Sequence, residues 1–296
     1  MAHQDVLTAQ SARTRRRLPL DWLGVVPFAV FALLFLLLPT LNLIAGAFQD
    51  REGAFTLRNI VNLFTPSIMA AYWISIKVSL ASALIGGLMG FVMAATVTIG
   101  GLPGWVRSPL MTFSGVASNF AGIPLAFAFL ATLGRTGLLT AFLMNVFGFN
   151  LYATGFNLLS FWGLTITYLF FQIPLMILII TPALDGLKKE WGEAAASLGA
   201  SRLQYWRMVA LPVLWPALLG TIVLLFANAF GAVATAYALT GSSLNIVPIV
   251  LFTQIRGDVL QDPNLGYALA FGMIVITGVS NGIYIWLRAR AERWLR

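Results

Sequence analysis

Long apolar runs alternate along the chain with short polar segments. A helix needs roughly 20 apolar residues to cross the hydrocarbon core of a bilayer. Six runs meet that length, at about 22–48, 71–99, 109–133, 157–183, 213–239 and 266–288. Barrel strands would be about half as long and alternating, whereas a helix satisfies its own backbone in lipid. The pattern predicts an all-α membrane protein with six transmembrane helices: a tail over 1–21, a transmembrane domain over 22–290 and a tail over 291–296.

Three connecting segments have a character of their own. About residues 134–156 contain LLTAFLMNVFGF, too short to cross, which predicts an interfacial or re-entrant helix. Residues 240–265 carry the Gly, Asn and Pro of loops, yet Ile246 to Ile255 is apolar enough to dip back into the bundle as an external gate element. The longest hydrophilic insertion is 184–212.

Composition supports the membrane reading: 59% of residues are hydrophobic and only 9% charged, far from the balance of a soluble domain. With no cysteine there is no disulfide framework, thiolate metal site or cysteine nucleophile. A net charge of +8 would suit nucleic acid, but the arginines cluster beside apolar runs and form no groove-sized basic face. The first run, behind Arg13, Arg15, Arg16 and Arg17, is too long for a signal peptide and lacks a small-residue cleavage pattern, so it reads as a retained span.

Sorting the cations by side gives the orientation, because cytoplasmic loops retain positive charge. One side holds thirteen: Arg13, Arg15, Arg16, Arg17, Arg107, Lys188, Lys189, Arg202, Arg207, Arg288, Arg290, Arg293 and Arg296. The other holds four, Arg51, Arg58, Arg135 and Arg256. Both termini are therefore expected in the cytoplasm.

Within 184–212, Leu184, Leu187, Trp191, Ala194, Ala195 and Leu198 fall at the spacing of one apolar helix face, predicted to pack while Lys189, Glu190 and Glu193 are solvated. Gly199 stands at a left-handed cap position, and Ser201 with Gln204 has the spacing of a capping box that starts a second helix. Pro212 is expected in the first turn of the fifth span, where its missing N–H is harmless. An amphipathic connector lying among lipid headgroups would also fit this composition.

The ordered set Glu193-Ala194-Ala195, Gly199, then Trp206, Val209 and Leu211-Pro212 resembles the EAA loop in permease subunits of binding-protein-dependent ABC importers, over a core of about residues 70–290. That resemblance implies the type I importer permease fold and a bacterial inner-membrane location. It also implies a loop that docks as coupling helices on a separate cytoplasmic ATPase. Glu193, Ala194, Ala195 and Gly199 would be the docking signature, and Leu211 and Pro212 would mark the return to the membrane. The segment from Phe226 to Met273 is similar to the polyamine (spermidine/putrescine) branch, which usually pairs two different permeases. The implied partners are ATPase subunits, a second permease, an extracytoplasmic substrate-binding protein and lipid, with no nucleic acid.

Catalytic chemistry is missing from the chain. There is no Gly-Lys dipeptide and hence no phosphate-cradling loop, so ATP and Mg belong to the partner and no cofactor is expected here. The single histidine is His3, and no acidic residue lies deep in a span. Lys77 is the one ionisable group at membrane depth; it either snorkels to the external headgroups or contacts a gate or solute.

Pathway-lining candidates are the polar residues of spans three to five: Ser114, Ser118, Asn119, Gln172, Asn228, Thr235 and Tyr237. Each could instead bond between helices, and Gly86, Gly87, Gly90, Gly220 and Gly231 could serve close packing. The competing class is a secondary transporter or channel, for which ionisable interior residues or paired broken helices would speak. Both signals are weak here. A polyamine would be expected to meet carboxylates, and the spans contain none.

Overall fold

The computed structural model describes residues 24–100, 103–241, 243–256 and 262–292. The 1–21 tail with Arg13, Arg15, Arg16 and Arg17 lies outside them, as do Arg293 and Arg296. The helices are α1 (Val26–Ala47), α2 (Arg58–Asn62), α3 (Pro66–Ile99), α4 (Gly104–Ala117), α5 (Ile123–Leu133), α6 (Leu138–Phe147), α7 (Phe161–Asp185), α8 (Lys189–Ser197), α9 (Arg202–Phe230), α10 (Val233–Thr240), α11 (Val247–Arg256) and α12 (Pro263–Glu292). Six crossings result: α1, α3, α4 with α5, α7, α9 with α10, and α12.

Helix α7 is the central post. Gly86 and Gly90 of α3 let it approach closely: a Cβ on Gly90 would stand 2.6 Å from the Met176 Cβ and 2.7 Å from the Ile173 carbonyl oxygen. Close backbone contact of this kind maximises dispersion between membrane helices, where lipid removes the hydrophobic drive. One apolar cluster around Met176, Ile177, Ile180, Leu184 and Leu214 fills the half nearest residues 184–212. A second, around Leu125, Leu164, Tyr168, Phe171 and Ile249, fills the other half. By contrast α1 is peripheral, joined to α12 where Phe48 meets Phe271 edge-on at 5.2 Å.

The third crossing runs antiparallel to α7, as successive contacts show. Arg107 pairs with Asp185 at 2.6 Å, Thr181 donates to the Met111 sulfur at 3.9 Å, and Phe120 and Phe129 both pack on Phe170. By length and hydropathy alone, Ile123–Phe147 would be one crossing. The turn at 134–137 separates α5 from α6, however, and the contacts with α7 assign α5 to the run that begins with α4. Helix α6 stands apart as the short element anticipated over 134–156, with Leu138, Phe142 and Phe147 exposed. Helix α11 dips back as its apolar stretch suggested: Ile246, Val247 and Ile249 are buried, and the Val247 N–H donates to Ser75 Oγ at 2.9 Å.

Unbroken third and fifth spans are not observed. The third stops at Ala117 and restarts at Ile123 through Gly122, whose φ of 76° is open to glycine. The fifth stops at Phe230 and restarts at Val233.

Pro212 stands in the first turn of the segment Leu211–Phe230 as expected, but that segment has no free start: a π-turn at Trp206–Ala210 joins it to the helix that begins at Arg202. The Leu211 N–H bonds to the Trp206 carbonyl, five residues back, and the Leu38 N–H bonds likewise to Leu33 just before Pro39. A proline ring presses on the carbonyl four residues earlier, and a widened π-turn directly ahead of it gives that carbonyl room.

Candidate functional site

Two features stand at opposite ends of α9. At its start, α8 and the first turns of α9 form a helical hairpin. The C-terminal half of α7 ends at Asp185 and α8 begins only at Lys189, so Leu184 belongs to the bundle core at 2% exposure. Gly199 adopts φ of 76°, and the capping box is complete: Ser201 Oγ accepts from the Gln204 N–H at 3.3 Å, while Gln204 Oε1 accepts from the Ser201 N–H at 2.7 Å.

The apolar face of this hairpin does not pack on the bundle as predicted. Trp191, Ala194, Ala195, Leu198, Met208 and Val209 line an open groove of about 440 Å³, with Leu198 88% and Met208 73% exposed. The helix is tethered at its base by covalent continuity and by Trp206 against Phe91, ring centroids 6.4 Å apart. Its outer face therefore remains available. Glu193 is exposed on the same helix, and Arg107 pairs with Asp185 at the end of α7.

At the far end of α9, the two helix breaks meet. The Gly122 N–H donates to Thr235 Oγ1 at 2.6 Å, and Tyr168 Oη donates to the Ala232 carbonyl at 3.0 Å. Between the breaks lies a cavity of about 390 Å³ lined by Ser118, Gly122, Phe171, Asn228, Ala232 and Thr235, among others. Some carbonyls at the ends of α4 and α9 are taken: Ala117 O accepts from the Phe120 N–H and Ala229 O from the Ala232 N–H. The first-turn N–H groups of Ile123, Leu125, Ala234 and Thr235 have no acceptor among the described residues. The carbonyls of Ser118, Phe120, Ala121, Asn228 and Phe230 are likewise without a donor among the described residues, so the negative ends of α4 and α9 meet the positive ends of α5 and α10 at the breaks.

Of the pathway candidates, Ser118, Asn228 and Thr235 line this cavity. Asn119 sits beside it, exposed, donating to Gly115 O at 3.0 Å. Ser114 lies one turn below Ser118, buried, its hydroxyl without a partner. Gln172 is fully buried and ties α7 to α9, Nε2 donating to Leu225 O at 2.9 Å while Oε1 is unpaired. Tyr237 is not at the cavity; it packs on Phe252 of α11, centroids 4.5 Å apart.

Residues 86–296 match the family model described as "Binding-protein-dependent transport system inner membrane component". The chain belongs to this family.

The permease is 28% identical over 249 residues to the sulfate transport system permease protein CysT of Salmonella typhimurium, covering 82% of this chain and 84% of that one. It is 31% identical over 119 residues to the spermidine/putrescine permease PotC of Haemophilus influenzae, 40% of this chain and 45% of that one. The crystal structure of a bacterial ABC transporter that imports alginate shares its fold, with a TM-score of 0.70 at 16% identity over 93% of this chain and 95% of that one. Permeases named for sulfate, ferric iron and polyamines all match, so similarity does not single out the polyamine branch. The permease is a multi-pass inner-membrane subunit of an ABC importer.

Lys77 of the permease is exposed, its Nζ 5.0 Å from the centroid of Trp73 one turn nearer the start of α3. The ammonium thus lies over an exposed aromatic face outside the bundle core. Gly122, Ala232 and Tyr168 were not identified from sequence. The signal was Gly122-Ile123-Pro124 inside an apolar run, a breaker followed by a proline suited to a helix start.

Proposed function

We propose that this permease couples ATP hydrolysis on a separate subunit to opening of the cavity between the broken third and fifth spans. The observation that carries this is α9 itself, 29 continuous residues from the hairpin to the break at Gly231, about 43 Å at helical rise. A force on the hairpin therefore reaches the cavity wall through one rod. Glu193, Ala194, Ala195 and Gly199 form the docking surface, and the open apolar groove supplies area for an ATPase subunit that carries ATP and Mg. Leu211 and Pro212, directly after the π-turn, mark the return into the bundle.

The hairpin and both ends of the described chain lie at one pole, with Arg107, Lys188, Lys189, Arg202, Arg207 and Arg288. This supports a cytoplasmic pole by retention of positive charge. The cavity is open on one side, where Asn228 and Gly231 are exposed. A second permease, which we take to be a different chain, completes it, and a binding protein delivers solute from the opposite pole.

For the solute, we infer a small oxyanion in preference to a polyamine. No carboxylate lines the cavity, and the N-terminus of α10, with open N–H groups at Ala234 and Thr235, borders it. The sulfate permease relative, matched over most of both chains, supports the same ranking. Broken helices are present after all, so they do not separate this reading from a secondary transporter; the hairpin does. Uptake into vesicles containing the complete importer, with ATP supplied and ion gradients collapsed, is expected for sulfate and not for spermidine. Uptake that needs an ion gradient and ignores ATP contradicts the importer mechanism, and ATP-driven spermidine uptake contradicts the solute alone.

A further inference from the structure

On the side of α9 facing α3, a cavity of about 670 Å³ has a divided character. One wall is apolar: Phe91, Val92 and Ile99 of the last turns of α3, with Val92 54% and Ile99 41% exposed. The other is Arg202, Tyr205 and Trp206 of α9, which share one helix face at positions i, i+3 and i+4. Arg202 has no ion-pair partner among the described residues. The cavity sits where α3 ends and α9 begins, at the pole carrying most of the positive charge.

We propose that this cavity binds an anionic phospholipid, its phosphate on Arg202, its glycerol region beside Tyr205 and Trp206, and an acyl chain along Val92 and Ile99. Charge complementarity selects the headgroup, since an unpaired guanidinium offers a planar fork to phosphate. The exposed apolar wall selects a lipid over a soluble phosphate, because only a chain removes that wall from water. Basic pockets between spans at the cytoplasmic face suit such headgroups, and aromatic side chains suit the interface. Tyr205 also borders the hairpin groove, so an occupied site braces the hairpin from behind. Which leaflet supplies the lipid rests on the orientation proposed above; binding in detergent does not.

The test is native mass spectrometry of the full chain in detergent with equal amounts of palmitoyl-oleoyl phosphatidylglycerol and phosphatidylcholine. The wild type is expected to retain phosphatidylglycerol about fivefold over phosphatidylcholine, the worth of one basic side chain near an anionic surface. Arg202→Gln should abolish that preference, Arg202→Lys should keep it, and Arg207→Gln, which alters a neighbouring cation outside the cavity, should leave it unchanged. Val92→Trp fills the apolar wall and should lower retention of both lipids, giving a second readout should Arg202→Gln fold poorly. Equal retention of the two lipids by the wild type, an unchanged preference in Arg202→Gln, or displacement of the lipid by millimolar glycerol phosphate would overturn the proposal.

Discussion

The backbone N–H of Gly122 donates to the hydroxyl of Thr235 at 2.6 Å, joining two helix breaks 113 residues apart in the chain. Thr235 is 1% exposed and Gly122 half-buried, so the bond is partly shielded from water and leaving either partner alone carries a cost. It holds the third and fifth spans together beside the cavity without closing it.

Replacing Thr235 by Val keeps the shape and removes the acceptor. Thermal unfolding in detergent should report a loss of about 1–3 kcal/mol from the stranded Gly122 N–H, with uptake reduced, while Thr235→Ser stays near wild type. Equal stability of the Val and wild-type proteins would mean the breaks are held by packing alone.

At the hairpin, nothing lies within 4 Å of a Cβ added to Gly199, but its φ is 76°. Gly199→Val should therefore cost about 1–2 kcal/mol through the backbone, and Ser201→Ala about 1 kcal/mol through the lost cap. Both changes, and Glu193→Lys, should leave membrane insertion intact and reduce co-purification of the ATPase. Normal recruitment by all three variants would remove the hairpin from the coupling route.

Two glycines make opposite predictions. Gly90→Ala forces a Cβ against Met176 and the Ile173 carbonyl, an overpacking cost of about 1–3 kcal/mol. Gly115→Ala meets nothing within 4 Å and should stabilise by up to about 1 kcal/mol through helix propensity. Melting temperatures of the two variants check the sign directly.

The Arg107 and Asp185 pair is close but 39% and 44% exposed. Water and salt screen such pairs, which are worth roughly 0–1 kcal/mol. Arg107→Gln should barely move the unfolding midpoint; a large shift would mean that the pair is shielded by a partner chain in the assembly.

The six crossings were legible because apolar length alone defines them: the run from Phe161 to Asp185 cannot be anything shorter. The hairpin turn was legible too, since Gly199, Ser201 and Gln204 act through local backbone chemistry. The breaks were not, because Gly122 and Gly231 sit in runs whose hydropathy they hardly change. A broken helix at depth depends on partners such as Thr235 and Tyr168, which come from other spans. The exposed groove was missed for a related reason. The spacing of Trp191, Ala194, Ala195 and Leu198 shows that one face is apolar, but not whether its cover comes from this chain.

The most direct test uses the absence of native cysteine. In the complete reconstituted importer, Asn228→Cys places a thiol at the cavity mouth, and its rate of labelling by a membrane-impermeant maleimide is measured with and without a non-hydrolysable ATP analogue. The account predicts a nucleotide-dependent change in rate that disappears when Glu193→Lys and Gly199→Val are added at the hairpin. A rate indifferent to nucleotide, or a change that survives those substitutions, would contradict it.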